Sequence, residues 1–228
     1  MIGGEAISFD LDRDGADFVA GLALDIIGEL EKTVAHYGEG QAGVRITGRP
    51  ELAELLGQSH AIGAYVAHVL GRQAHPVRAV LFDKSDAGNW ALGWHQDRTI
   101  TVVARKEVEG FGSWTCKQGI QHVEPPFAVM DRMVTARIHL DDVDQCNAPL
   151  LIALGSHRRG RIPVGGVEDA VAQANVHACL ATRGDVWLYR TAILHASARA
   201  MEAGRHRRVL QVDYAALDLP GGLEWLGI

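Results

Sequence analysis

Residues 134–140 read VTARIHL, a stretch in which apolar and polar side chains alternate as they do along a β-strand. Val134, Ala136, Ile138 and Leu140 would share the apolar face. Similar short runs of Val, Ile, Leu and aromatic residues flank it on both sides, namely VRAVLF (77–82), TITVVAR (99–105), LLIAL (150–154), DVWLYR (185–190) and RRVLQVDYA (207–215). Glycine, aspartate, asparagine and proline separate these runs. Short strands at this spacing predict a β-sandwich or barrel over about residues 76–215.

The N-terminal third has a different pattern, with apolar side chains at helical spacing. It predicts one helix over residues 15–36, with Asp14 as its cap and Gly38 at its end. A second helix is predicted over about residues 51–70, beginning after Pro50 and closed by Gly71. Its predicted core residues are Leu52, Leu55, Leu56, Ile62 and Val66. The 228 residues therefore predict one domain, with a helical layer over about 1–75, a barrel over 76–215 and a tail over 216–228.

Composition limits the classes of partner. The chain has 22 lysines and arginines against 28 aspartates and glutamates, so no general attraction to nucleic acid or to an anionic membrane is expected. A small molecule is the predicted partner. No apolar run is long enough to span a bilayer and the start, MIGGEAISFD, lacks a signal-peptide pattern, so a cytoplasmic location is predicted. Cys116, Cys146 and Cys179 form neither a disulfide framework nor a zinc ribbon. The sequence leaves the oligomeric state open.

The motif WHQD, residues 94–97, places His95 and Asp97 two positions apart, which aims both side chains to one side of an extended chain. A second histidine, His195, follows the predicted strand DVWLYR. Two imidazoles and one carboxylate can occupy one face of an octahedral ion and leave the other open, as iron(II) requires to bind a cosubstrate and dioxygen. The motif alone also fits a surface histidine beside an acid.

An ordered set of motifs resembles the phytanoyl-CoA dioxygenase family of iron(II)- and 2-oxoglutarate-dependent oxygenases. The motifs are WHQD (94–97), RIHLDD (137–142), NAPL (147–150), GSH (155–157), GD (184–185), LHAS (194–197) and HRRVLQVDYA (206–215). Leu154 departs from the pattern, because the family usually has proline before GSH. The resemblance implies a mainly β chain with N-terminal helices, folded as a double-stranded β-helix (a jelly-roll, cupin-like barrel). It also implies iron(II) at His95, Asp97 and His195, with 2-oxoglutarate and O2 as cosubstrates.

The resemblance further implies hydroxylation of a small molecule with release of succinate and CO2. Asp97 favours hydroxylation, since halogenating relatives carry a small residue at that position. Two other function classes stay open. One is a cupin-like metal isomerase, in which the predicted cosubstrate residues would have no role. The other is a noncatalytic binding or sensing module on the same fold.

In the family, an arginine about a dozen residues after the distal histidine binds the far carboxylate of 2-oxoglutarate. Arg207 lies twelve residues after His195 and matches this position better than Arg205 or Arg208. Strand periodicity does not decide between Arg207 and Arg208, because both faces of the strand are mixed. Ser197 matches a family serine that binds the same carboxylate, although it also suits a polar strand end. Lys84 and Asn89 loosely resemble other polar positions on the cosubstrate side.

Five residues are candidates for the substrate pocket. Arg137 and His139 lie on the polar face of VTARIHL, so they could contact the cosubstrate or an acidic group on the substrate. The alternative is an exposed outer strand with solvated charges. Trp94, Arg98 and His122 could shape the pocket, but a tryptophan beside a strand also suits the core, and a histidine in QHVEPP suits a loop.

Overall fold

The computed structural model describes residues 8–37 and 43–228. Gly38, predicted as a helix end, and the start of the chain, residues 1–7, lie outside this part. The strands are β1 (Ala16–Val19), β2 (Val44–Ile46), β3 (His75–Lys84), β4 (Leu92–His95), β5 (Ile100–Val102), β6 (Gly112–Lys117), β7 (Ile120–Glu124), β8 (Met133–His139), β9 (Leu150–Ala153), β10 (Val176–Cys179), β11 (Val186–Arg190), β12 (His195–Ser197) and β13 (Arg207–Ala215). The helices are α1 (Ile27–Val34), α2 (Pro50–Leu55), α3 (Ala61–Leu70), α4 (Phe127–Met130) and α5 (Val167–Ala172).

The strands form antiparallel sheets. The largest has six strands in the order β1-β11-β8-β13-β3-β2, the second has four in the order β10-β9-β12-β4, and the third has three in the order β5-β7-β6. Side chains from the six-stranded and four-stranded sheets line one cavity between them. The prediction of a mainly β chain with N-terminal helices is confirmed.

One face of the six-stranded sheet packs against the helices, and this determines which side chains lie on the other face. Ile138 of β8 and Leu210 of β13 are fully buried in a core with Leu30, Leu56 and residues of α3. Because successive side chains of a strand point to opposite faces, the alternate residues of β8 and β13 turn toward the four-stranded sheet. The polar face of VTARIHL therefore faces inward.

The predicted helix over residues 15–36 is wrong in its first half. Ala16–Val19 is the edge strand β1, paired with β11 in the register Ala16↔Tyr189, and α1 covers only Ile27–Val34. Gly15 has a positive φ of 78°, which sets the strand off from the turn before it. Asp14 is not a helix cap, because its carboxylate accepts hydrogen bonds from the Arg13 side chain and from the Asp10 N–H. Pairing with a distant strand overrides the local helical pattern here.

The second predicted helix is two helices, α2 and α3, separated by residues 56–60. They meet where a β-carbon on Gly63 would lie 2.1 Å from the backbone oxygen of Gly57, an approach that only glycine permits. Of the predicted core residues, Leu52, Leu56, Ile62 and Val66 are buried, and Leu55 is partly buried.

Other boundaries also differ from the prediction. The run TITVVAR contributes only the three residues of β5, and β2 lies within the expected helical layer. The strands β4 and β12 carry the two motif histidines but are only four and three residues long. The single-domain organisation stays a prediction. In the described part of the chain, no helix combines the length and the apolar character needed to cross a membrane.

Candidate active site

Three potential metal ligands meet at one end of the cavity. His95 ends β4 and lies opposite His195 of the neighbouring antiparallel strand β12, so their ring centroids are 4.3 Å apart. Asp97 follows β4 by two residues. One ligand atom from each of the three side chains lies within 4.8 Å of the others, which is close enough for a single ion. Two neutral imidazoles and one carboxylate suit a divalent transition metal with open coordination positions.

Backbone carbonyls determine which ring nitrogens can bind a metal. The Nδ1 atom of His95 lies 2.8 Å from the Gly93 oxygen, and that of His195 lies 3.0 Å from the Ile193 oxygen. A carbonyl oxygen only accepts, so in this assignment both Nδ1 atoms carry the proton and both Nε2 atoms keep a lone pair for the metal. Burial lowers the pKa of His195 to about 4, although Asp97 opposes this, so its imidazole is neutral at pH 7.

A partly buried ion pair orients the carboxylate of Asp97. Arg78 reaches Asp97 with Nη2 at 3.4 Å and Asp213 with Nε at 2.6 Å. Thr135 also donates a hydrogen bond of 2.9 Å to Asp213. Burial acts to raise the pKa of Asp97, but the charge of Arg78 holds it below its usual value. Asp97 is therefore ionised and oriented before any metal binds. Sequence reasoning missed Arg78, which lies within an otherwise apolar strand.

Gln96, between the two ligands of WHQD, fixes their loop. Its side chain is buried and donates to the backbone oxygens of Gly160 and Ala192, at 3.0 and 2.7 Å, while its own oxygen accepts the N–H of Ile162. All hydrogen-bonding groups of the Gln96 side chain therefore point away from the metal position. These contacts fix the turn after β4 that brings the Asp97 carboxylate next to His95.

The cavity has a volume of about 330 Å³. Its lining includes seven of the predicted site residues, namely Lys84, His95, Asp97, Arg137, His195, Ser197 and Arg207. Sequence reasoning missed other lining residues, namely Arg45, Arg78, Phe82, Trp90, Leu92, Leu150 and Gln211. These residues are spread over five strands and the segment before β4, so no local motif indicates that they share a cavity.

Two buried cations, Arg207 and Lys84, line the cavity near Ser197, which lies two residues along β12 from His195. Arg207 pairs with Lys84 across β13 and β3. Arg207 is 2% exposed; its Nη1 donates to the Ala148 oxygen at 2.8 Å, and its buried Nε has no partner in the part of the chain that the structure describes. Lys84 donates from Nζ to the Ser197 hydroxyl at 2.8 Å and to the Ala198 oxygen. Burial, reinforced by neighbouring arginines, lowers the pKa of Arg207 to about 9 and that of Lys84 to about 7.

The neighbouring Arg208 lies on the opposite face of β13. Its guanidinium forms an ion pair with Asp141 at 2.6 Å and approaches Glu31 at 3.6 Å. The structure therefore separates the two arginines that periodicity left undecided, and it places Arg207 in the cavity.

Arg137 and His139 are both buried, so the exposed outer strand considered for VTARIHL is wrong. Arg137 lines the cavity, donates to the Gln211 side-chain oxygen at 3.0 Å and stacks over Phe82, while its Nε has no partner within residues 8–37 and 43–228. His139 lies on the same face, and neither ring nitrogen has a partner among the described residues. Burial and the nearby Arg137 and Arg207 hold the pKa of His139 well below its usual value.

Four other candidates lie outside the described cavity lining. Asn89 exchanges two hydrogen bonds of 2.8 Å with the backbone of Ala200. Trp94 packs on a small core cluster, and Arg98 donates to the Ile162 oxygen. His122 is buried and accepts a hydrogen bond from Arg45, so it touches a lining residue rather than the cavity. The sequence near the motifs did not show whether these four side chains would support the neighbouring backbone and side chains or line the cavity itself.

Comparison with known proteins agrees with this geometry. The family model described as phytanoyl-CoA dioxygenase matches residues 48–209. The chain belongs to the phytanoyl-CoA dioxygenase family. It is therefore an iron- and 2-oxoglutarate-dependent dioxygenase, with O2 as the other cosubstrate, as the motifs predicted. No curated protein sequence matches this dioxygenase significantly.

Solved structures resemble it across most of its length. EctD from S. alaskensis with 2-oxoglutarate and 5-hydroxyectoine is 18% identical, with a TM-score of 0.64 over 90% of this chain and 73% of that one. HygX from Streptomyces hygroscopicus with nickel, 2-oxoglutarate and hygromycin B is 16% identical, with a TM-score of 0.58 over 90% and 84%. The epimerase SnoN with Fe3+, alpha ketoglutarate and nogalamycin RO is 15% identical, with a TM-score of 0.61 over 96% and 92%. The predicted double-stranded β-helix fold class is confirmed.

Proposed function

We propose that this dioxygenase hydroxylates a small molecule at an iron(II) ion bound by His95, Asp97 and His195. The carrying observation is that three ligand atoms within 4.8 Å of one another share a cavity with Arg207 and Lys84, two buried cations that have no carboxylate partner among the described residues. Such an arrangement fits a metal at one end and a dicarboxylate that reaches from it to the other.

The donor groups fit 2-oxoglutarate at the cationic end. Arg207 would hold the far carboxylate with the fork formed by a terminal nitrogen and Nε, for which the described residues provide no partner. Ser197 and Lys84 already touch each other beside it and would each donate to the same carboxylate. Asn89 is not proposed for this role, because its amide is engaged with Ala200.

When bound, iron with 2-oxoglutarate and O2 supplies an oxidation in which 2-oxoglutarate, O2 and a substrate C–H bond become succinate, CO2 and an alcohol. The protein supplies orientation. Arg78 aims Asp97, and the carbonyls of Gly93 and Ile193 aim the two imidazoles. Apolar side chains of the lining limit water near the metal and favour the organic part of the substrate.

Other functions fit the site less well. A cupin-like isomerase leaves the group of Arg207, Lys84 and Ser197 without a task, and a noncatalytic module would bind ligand without forming succinate. A small-molecule partner is consistent with the 5-hydroxyectoine and hygromycin B in the EctD and HygX structures. The absence of nucleic-acid and membrane partners and a cytoplasmic location are proposals that rest on composition alone.

The test is an anaerobic 2-oxoglutarate titration of the iron(II) protein, followed by calorimetry or charge-transfer absorbance, in Arg207→Ala and Arg208→Ala. Loss of one partner of a buried ion pair costs about 3–5 kcal/mol, which is more than about a hundredfold in affinity. We expect this loss for Arg207→Ala with iron binding retained. Arg207→Lys should recover only part of it, because an ammonium cannot form the bidentate fork.

Arg208→Ala is the matched control, since it removes the same charge from the adjacent position on the opposite face. It should bind 2-oxoglutarate normally. Normal 2-oxoglutarate binding by Arg207→Ala would refute the cosubstrate assignment. A loss of binding confined to Arg208→Ala would show that the opposite face of β13 faces the cosubstrate.

A further inference from the structure

The cavity is strongly cationic. Arg45, Arg78, Arg137, Arg207 and Lys84 line it, whereas Asp97 is the only carboxylate residue in the lining formed by residues 8–37 and 43–228. An anion entering such a site would be favoured by the summed potential as well as by any single contact.

The proposed cofactors do not balance this charge. Arg78 lies between Asp97 and Asp213, so this group carries one excess negative charge. An iron(II) ion and a 2-oxoglutarate dianion cancel each other. Arg45, Arg137 and Arg207 then leave two positive charges unbalanced, even if Lys84 is counted as neutral.

Arg45 and Arg137 are the two lining cations for which neither the described residues of the protein nor the cosubstrate supplies an anion, and Arg45 is the one beside Arg78. The Nε of Arg45 donates to the Nε2 atom of His122 at 3.2 Å, and its Nη1 donates to the Gln118 side-chain oxygen at 3.4 Å. The Nδ1 atom of His122 lies 3.0 Å from the Ile120 oxygen, and burial lowers its pKa, so His122 is a neutral acceptor. Within the described residues, no carboxylate forms a salt bridge with Arg45. Neutral partners thus orient the guanidinium without compensating its charge.

The sheet register places Arg45 away from the 2-oxoglutarate anchor. Arg45 on β2 pairs with Val80 on β3, two residues from Arg78 on the same face, and Arg78 contacts the metal ligand Asp97. Lys84, beside Arg207, is four residues further along β3, or about 13 Å at about 3.3 Å per residue. The cavity therefore has two separate cationic ends, and Arg45 belongs to the one near the metal ligands.

We propose that the prime substrate is a small carboxylic acid whose carboxylate is bound by Arg45. This inference rests on the proposed function, because the second anion site is defined relative to the metal and cosubstrate. A guanidinium fork matches a carboxylate with two parallel charge-assisted hydrogen bonds. The apolar part of the acid would lie against Val80, Phe82 and Leu92, which line the cavity beside the metal ligands.

Cavity size sets an upper limit on this acid. The volume of 330 Å³ lies near the lower end of the roughly 300–1,000 Å³ typical of small-molecule sites, and the cosubstrate occupies part of it. A short aliphatic or cyclic acid fits the remaining space.

The experiment measures binding to the iron(II) and 2-oxoglutarate complex without oxygen, by calorimetry, for butanoate, hexanoate, octanoate and cyclohexanecarboxylate. Each acid is compared with its primary amide, which has a similar shape and no charge, and with the corresponding alkyl phosphate. We expect the acids to bind more tightly than their amides. A hydrogen-bonded charge contributes about tenfold to a hundredfold in affinity, and Arg45→Gln should remove that preference. Arg45→Lys should retain part of it.

The matched control is Arg105→Gln, which removes an exposed arginine paired with Glu107. It should leave the preference for acids intact. Arg45→Gln should change 2-oxoglutarate affinity by less than about twofold, and its thermal melting with bound cosubstrate reports whether it folds. Equal binding of acids and amides, no binding by any acid, tighter binding of the phosphates or an unchanged preference in Arg45→Gln would each overturn the proposal. If the wild type fails to bind 2-oxoglutarate at all, the proposed function fails instead.

Discussion

Arg78 lies between Asp97 and Asp213, and its removal is a direct test of how the metal site is supported. In Arg78→Met the side-chain volume is largely kept, but both carboxylates lose their cation. At an effective dielectric constant of about 20, a charge pair at 2.6 Å attracts by about 6 kcal/mol, and desolvation offsets part of this. Loss of one partner of a buried pair typically costs about 3–5 kcal/mol, and Asp213 is only 2% exposed.

The expected loss should depend on pH in a defined direction. Burial and Asp97 already raise the pKa of Asp213 against the effect of Arg78, and removal of Arg78 raises it further. Below this raised pKa, Asp213 is protonated in the folded variant. At any pH between that pKa and about 3.8, which is the ordinary pKa of an aspartate, Asp213 is protonated to a smaller extent in the unfolded chain than in the folded one. Stability of the variant should therefore fall as pH rises through that window and be lowest above it.

The assay is urea unfolding of the metal-free protein at several pH values. With a urea slope of about 2–3 kcal/mol per M, the midpoint of Arg78→Met should fall by about 1–2 M at pH 8 and by less at pH 5. Arg78→Met with Asp213→Asn should recover part of the loss, since the buried Asp213 then carries no unpaired charge and only Asp97 is left without its cation. A small, pH-independent loss in the single variant, or no recovery in the double variant, would refute this view of the ion pair.

Other predictions concern the ligands and the cosubstrate. Iron(II) binding, measured by equilibrium dialysis, should be lost in each of His95→Ala, Asp97→Ala and His195→Ala. Circular dichroism should show an intact fold, because ligands of an open site contribute chiefly to metal binding. Full activity in any of these variants would remove that residue from the triad. Asp97→Gly should not keep full hydroxylation, measured as product formed per 2-oxoglutarate consumed, because two imidazoles bind the ion less tightly and compensate its charge less. Because the pKa of Lys84 is lowered to about 7, 2-oxoglutarate affinity should decrease as pH rises through about 7, and this dependence should be absent in Lys84→Met. A titration series at pH 6 to 9 checks both expectations. The same pH profile in the wild type and in Lys84→Met would show that Lys84 does not bind the cosubstrate as a cation.

The ordered motifs were sufficient to predict the family, the fold class and seven of the lining residues. Residues that the family pattern places on particular strands were predictable because alternation links each position to one face. The apolar face of VTARIHL needs a helical layer to pack on, so its polar face must look inward. Arg207 was selected by its spacing from His195, whereas its burial is known only from the structure, because both faces of β13 are mixed.

Only the tertiary structure showed which strands pair and which side chains from distant strands contact one another. Residues 16–19 look helical, and pairing with β11, about 170 residues later, makes them a strand. Arg78 and Arg45 lie on different strands, and their partners Asp97, Asp213, Gln118 and His122 lie elsewhere in the chain. Local sequence records the face of a strand on which a residue lies, because side-chain direction alternates with a period of two. It does not record which other strand comes opposite, because that depends on the packing and hydrogen bonding of the whole chain.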